Sequence, residues 1–162
     1  MSGRSLALEH ATALPPHLRP AATCAVGAAR LLTRLSPRRL RRVLELTRLG
    51  ARPADEMEAL RARNAVVAVS IPCAGPRCLQ RAIATALLCR MLGCWPEWRI
   101  GVRSQPFQAH AWVAVDGKAV GENPNTIGFF HLLMAVPPAR KRTRHEGPAS
   151  ASPPAIRLGR EA

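Results

Sequence analysis

The sequence has no tyrosine, and aromatic residues make up only 4 % of it. A core formed by these 162 residues must therefore be filled mainly by Ala, Leu and Val, which supply buried apolar area but little ring stacking. Lysine is nearly missing too: Lys118 and Lys141 are the only two among 24 basic residues. Acids are few, 10 against those 24, so the formal net charge is +14. Such a charge would ordinarily point to nucleic acid or another acidic partner. Enrichment in Arg, Ala and Pro together is also what a compositional bias of the source genome would give, so nucleic-acid binding is disfavoured as the main role. No segment approaches the run of about 20 apolar residues that a helical membrane span requires. Residues 1–20 contain Arg4 but no continuous apolar stretch, and Pro15, Pro16 and Pro20 interrupt them. No secretory signal is read there, which makes the cytoplasm the expected location. Five cysteines, an odd number, then point to reduced thiols and not to a disulfide framework.

Most of the chain reads as one domain, expected over residues 21–136, between a poorly ordered lead-in at 1–20 and a disordered basic tail at 137–162. The Ala/Leu-rich stretch Thr23 to Leu35 predicts a helix. Ser36 as cap, Pro37 at the first helical position and Gly50 as stop predict a second. Leu40, Val43, Leu44 and Thr47 share one face of it, and Arg38, Arg39, Arg41, Arg42 and Arg48 lie mostly elsewhere. The plain reading of these arginines is a solvated face; the sharper one is a docking surface for an acidic partner. A third helix is expected from about Pro53 to Ile71, buried all round at its apolar end and stopped by Pro72. A fourth is expected from Pro76 to Gly93, with Leu79, Ile83, Ala86, Leu87 and Met91 as its buried stripe. Strands are expected at Trp98 to Arg103, Ala109 to Val115 and Lys118 to Glu122, with Asp116-Gly117 as a hairpin turn. Phe129 to Val136 predicts one more short apolar element.

Cys73, Cys78, Cys89 and Cys94 form two Cys-x4-Cys pairs, which raises the question of zinc. Cys78 and Cys89 lie on one predicted helix, roughly 16 Å apart at its rise per residue. Ligands on one tetrahedral zinc ion sit only about 4 Å from each other, so no metal site is expected. Cys24, Cys73, Cys89 and Cys94 are then simplest as buried or half-buried small residues. Cys78 differs, because it falls in the first turn of a helix. Unpaired backbone N–H groups and the macrodipole there favour a thiolate, and Arg77 and Arg81 add positive charge.

Of five histidines, His110 stands out, on a predicted strand in Ala-His-Ala-Trp-Val. Taken alone it is simplest as a core or edge histidine. Paired with Cys78 it gives a nucleophile at a helix start and a base on a sheet, the arrangement of papain-like and transglutaminase-like enzymes. The third member depends on hairpin register. A two-residue turn at Asp116-Gly117 pairs Val115 with Lys118 and puts Asn123 opposite His110. A three-residue loop with a bulge pairs Ala114 with Lys118 and puts Glu122 opposite. Glu122 is preferred, because a carboxylate stabilises the imidazolium that forms; Asn123 is the alternative. Trp112 shares the strand face of His110, as a core residue or as a wall of the substrate pocket.

At these residues the chain resembles a known family. Arg-Cys-Leu-Gln-Arg-Ala-Ile-Ala-Thr-Ala-Leu-Leu-Cys-Arg from Arg77 is similar to the cysteine helix of the lasso peptide biosynthesis B2 proteins. Ile-Gly-Val-Arg-x-x-Pro-Phe-x-Ala-His-Ala-Trp-Val, from Ile100 to Val113, is similar to their histidine segment. The resemblance is specific from Arg77 to Glu122, weaker back to Val26, and absent in the tail. It implies an α+β, transglutaminase-like/papain-like fold, with N-terminal helices and a cysteine-bearing helix packed on a small antiparallel sheet. It also implies a cofactor-free leader peptidase that cuts a ribosomally made precursor peptide between leader and core. Family roles fall on Cys78 as nucleophile, His110 as base and Glu122, where the family has Asp, as the third residue. The backbone N–H of Cys78 is the expected oxyanion donor. The implied partners are the precursor's leader region, a separate leader-recognition protein of the B1 type, and an ATP-dependent lasso cyclase. The recognition protein is expected to be separate because the residues before Cys78 read as helices without the strands of a winged-helix domain. A non-catalytic scaffold of the same fold, presenting the precursor to the cyclase, is the rival.

Overall fold

The computed structural model describes residues 18–139. The expected lead-in and tail lie outside these residues, apart from Leu18–Pro20 and Pro137–Ala139. Helix α1 (Leu18–Leu32) starts earlier than expected, with Pro20 in its first turn, where its missing N–H is harmless. Its buried residues Ala22, Ala25 and Ala29 recur every three or four positions. Side chains this small let α1 lie close against α5 and α3.

Helix α2 (Pro37–Thr47) begins where Ser36 and Pro37 indicate, and it buries Leu40 and Leu44. Arg38, Arg39, Arg41 and Arg42 are exposed. Strand β1 (Arg52–Pro53) runs parallel to β2 (Cys94–Trp95), a two-stranded pair that the sequence did not announce. Helix α3 (Glu56–Val69) opens with a capping box: Asp55 accepts from the N–H of Glu58, and Glu58 accepts from that of Asp55. Arg52 also pairs with Glu58.

The third helix departs from expectation at its end. Ser70, at φ −144° and ψ 103°, breaks it before Pro72, and Pro72 lies inside a further short helix, α4 (Ile71–Ala74). Nor is the apolar end buried all round: Ala65 and Val66 are buried, but Ile71 is 88 % exposed.

Helix α5 (Cys78–Met91) is the centre of the molecule, packed against α1, α3 and the sheet. Its burial extends around nearly the whole circumference, beyond the expected stripe, and includes Gln80 and Thr85. Both polar groups are satisfied: the Gln80 amide donates to Val26 O (3.4 Å) and the Thr85 hydroxyl to Arg81 O (2.8 Å). Met91, expected inside, is exposed because it lies in the last turn, beyond the neighbouring elements.

The main sheet has the order β5-β4-β3-β6, all antiparallel: β3 (Glu97–Ser104), β4 (Phe107–Val115), β5 (Lys118–Ala119) and β6 (His131–Val136). A short helix, α6 (Pro124–Ile127), separates β5 from β6. Trp95 and Trp98 are fully buried and supply much of the core volume; Trp95 Nε1 donates to Val136 O (3.2 Å). Strand β6 is an edge strand without a charged residue, and Leu132 and Leu133 on it are exposed. This is the α+β arrangement expected, helices first and a small antiparallel sheet after. Among the described residues no helix is long and apolar enough to cross a membrane.

Candidate active site

Cys78 is the first residue of α5, not the third. Arg77 holds ψ at 59°, outside the helical region, so the helix begins one residue past it. The thiol is half-buried, and it meets the His110 imidazole and the backbone N–H groups of Ala111 and Leu79. The bond from His110 and those two N–H groups outweigh the cost of burial and hold the thiol below its ordinary pKa. The expected oxyanion donor is engaged elsewhere: the N–H of Cys78 is donated to Pro76 O at 3.0 Å, closing a tight turn before the helix. A groove of about 300 Å³ opens beside the sulfur, lined by Thr33, Pro76, Arg77, Cys78, Leu79 and Gln80.

His110 lies on β4 between the sulfur and a carboxylate. Its Nε2 is 3.2 Å from Glu122 Oε2, which leaves Nδ1 for the thiol. Bonds from Cys78 and Glu122 together raise its pKa to about 9, against the opposing effect of burial. Aromatic rings enclose the imidazole. Trp112 stacks beside it with centroids 5.9 Å apart, and Phe130 meets it at 5.5 Å. Trp112 is thus a buried residue packed beside the imidazole, and it does not line the groove at Cys78.

Glu122 reaches His110 by a different route from the bulged hairpin expected. Asp116 (φ 48°) and Gly117 (φ 83°) form a two-residue turn, and Val115 pairs with Lys118. In that register Asn123 would oppose His110 if the strand continued. It does not: β5 ends at Ala119, and Gly121 at φ 64° turns the chain, so Glu122 swings back to the imidazole. Asn123 is exposed, and its side chain accepts from the N–H of Asn125 at the start of α6.

Two arginines complete the cluster. Arg81 Nη2 lies 3.2 Å and Arg63 Nη2 3.7 Å from Glu122 Oε1, with all three side chains largely buried. Burial pushes the Glu122 carboxyl up, but the bond from His110 and the charges of Arg81 and Arg63 leave it below the ordinary carboxylate range. The sequence reading placed Arg81 near the thiol, but not on the carboxylate, and it missed Arg63 and Phe130. Arg63 lies across Gly121, where a Cβ would fall 2.7 Å from its side chain, a proximity that no sequence pattern announces.

The remaining thiols are apart from this centre. Cys73, Cys89 and Cys94 are buried, and Cys94 Sγ donates to Cys89 O at 3.4 Å. Cys24, expected to be at least half-buried, is exposed, because the buried face of α1 is the alanine face. A single unbroken helix carries Cys78 and Cys89, and among the described residues no three His, Cys, Asp or Glu side chains could hold a metal ion.

The geometry is that of a thiol made acidic by a helix start and by an imidazole, itself oriented by a carboxylate. Comparison with curated proteins and with solved structures found no match. The family model described as transglutaminase-like superfamily matches residues 22–135, which include all three groups. With most of its length inside that match, the chain belongs to the transglutaminase-like superfamily.

Proposed function

We propose that this protein is a cysteine peptidase that removes the leader from a ribosomally synthesised lasso peptide precursor. The observation that carries the reading is the position of His110, with the Cys78 thiol on one side and the Glu122 carboxylate on the other. The superfamily includes cysteine peptidases, and the motifs around Cys78 and His110 resemble those of the B2 leader peptidases. His110 takes the thiol proton, and the Cys78 sulfur attacks the carbonyl at the leader–core junction. The tetrahedral intermediate collapses as His110 gives its proton to the departing core amine. Water, deprotonated by His110, then cleaves the thioester, freeing the leader as a carboxylate and restoring the thiol. Glu122 keeps the imidazole in the tautomer that presents Nδ1 and stabilises its charged form. The groove beside Cys78 is the approach for the peptide. The partners in this reading are the precursor, a separate leader-recognition protein and an ATP-dependent cyclase that closes the freed amine onto an acidic side chain, all in the cytoplasm.

One observation favours a second reading, that of a non-catalytic scaffold presenting the precursor to the cyclase. The Cys78 N–H is bonded to Pro76 O and not free to receive an oxyanion. Cleavage of a lasso precursor, supplied with its recognition protein, separates the two. The peptidase reading expects wild-type cleavage and none by Cys78→Ala or His110→Ala. Undiminished cleavage by Cys78→Ala, or none by the wild type, would overturn it.

A further inference from the structure

Two arginines are buried around the carboxylate that serves His110, and the mechanism above uses neither. Arg81 is only 11 % exposed and Arg63 16 %. Burying cations is costly unless they are bonded and paired, so their convergence on one carboxylate is not incidental packing. The two oxygens of Glu122 are divided between them: Oε1 faces Arg81 and Arg63, and Oε2 faces His110. Arg81 does more than pair. Its Nη1 donates to Cys73 O (3.1 Å) and Gly75 O (3.4 Å), in the segment that leads into Cys78. One guanidinium therefore ties the lead-in to the nucleophile helix to the carboxylate that aims the base.

We propose that Arg81 and Arg63 are positioning residues, which fix Glu122 with one oxygen for His110 and, through Arg81, join that carboxylate to the segment that sets Cys78. This rests on the peptidase reading and adds to it the control of the pH range in which the thiolate–imidazolium pair exists. The charged and titratable groups facing Glu122 are His110 from β4, Arg81 from α5 and Arg63 from α3, with Cys78 beyond the imidazole. Both guanidinium charges oppose protonation of His110 and favour ionisation of Cys78. With the other arginine still holding Glu122 on His110, removing one of the two charges raises both inflections, so the range moves to higher pH.

The test is the pH dependence of Cys78 alkylation by iodoacetamide in the full chain, read at that residue by peptide mapping because Cys24 is also exposed. Arg81→Met is expected to move both inflections alkaline by about one pH unit. Arg63→Met, whose arginine is the more distant of the two, should move them less. Arg81→Lys keeps the charge and should hold the wild-type inflections, while cleaving precursor roughly tenfold more slowly through kcat. Wild-type inflections in Arg81→Met would overturn the proposal. Should that variant not fold, Arg63→Met and Arg81→Lys decide: a shift in the first without the second supports it, and any other pattern overturns it. An unperturbed Cys78 in the wild type would instead sink the peptidase reading itself, so the two failures are distinct.

Discussion

Gly101 lies directly opposite His110 on neighbouring strands, and the Trp112 ring occupies the space where a Gly101 side chain would be. A Cβ at this position would fall 2.8 Å from Trp112 Cη2 and 2.9 Å from His131 O. The backbone oxygen cannot yield cheaply, so the indole or the β3–β6 rung must shift. Gly101→Ala is expected to cost about 1–3 kcal/mol of stability, as overpacking does. Because Trp112 stacks on His110, the substitution should also slow alkylation at Cys78. Urea unfolding with the same alkylation assay checks both effects, and a variant as stable and reactive as wild type would contradict the packing described.

The reactive pair sets its own pH window. With the Cys78 thiol held below its ordinary value and His110 raised to about 9, thiolate and imidazolium coexist between the two. Precursor cleavage should therefore rise through the lowered thiol value and fall as pH passes about 9, where the imidazolium is lost. The stability linkage of His110 runs the same way: its contribution is full below the unfolded value and disappears as pH rises through about 9. A histidine NMR titration gives the upper limit directly. A His110 midpoint at the unperturbed value would refute the coupling.

Glu122 and Asn123, adjacent in sequence, should behave oppositely. Glu122→Ala leaves Arg63 and Arg81 buried around an empty place, a loss expected to cost about 3 kcal/mol or more. Its folded-state pKa is lowered, so the stability it gives is present above the unfolded value and is lost as pH falls through the folded one. Asn123→Ala removes only the cap of a four-residue helix and should cost about 1 kcal/mol at most, leaving His110 titration unchanged. Thermal unfolding of both variants across the acid range makes the comparison. Loss of the His110 perturbation in Asn123→Ala would exchange the roles of the two residues.

These contrasts show where the sequence could be read and where it could not. Ser36-Pro37, the helix carrying Cys78 and the strand carrying His110 are written in neighbouring residues. Periodicity and the proline at a helix start located them, although the Ser36 side chain makes no cap bond. Asp116-Gly117 also announced its turn, but the preferred bulge was not what formed, because Asp116 itself accepts a positive φ. The position of Glu122 then depended on how far β5 ran, and that is decided by Gly121 and by Arg63 lying across it. Arg63 and Arg81 reach Glu122 from two other helices, a convergence without periodicity or local motif. The start of α5 was misplaced for a smaller reason. Pro76 suits a first helical position, yet the turn closed by Cys78 N–H on Pro76 O delays the helix.

The outer edge of β6 gives the molecule a tendency that its charge holds in check. Among the described residues this is an outer strand, with exposed leucines and no charged side chain from His131 to Val136 to repel a second strand. The net charge of +14 supplies that repulsion at long range instead. Salt shortens the reach of that repulsion to about 10 Å at 0.1 M, so concentrated solutions should begin to self-associate as ionic strength rises. Light scattering against salt would show the onset, and Leu133→Lys should move it to higher concentrations of both.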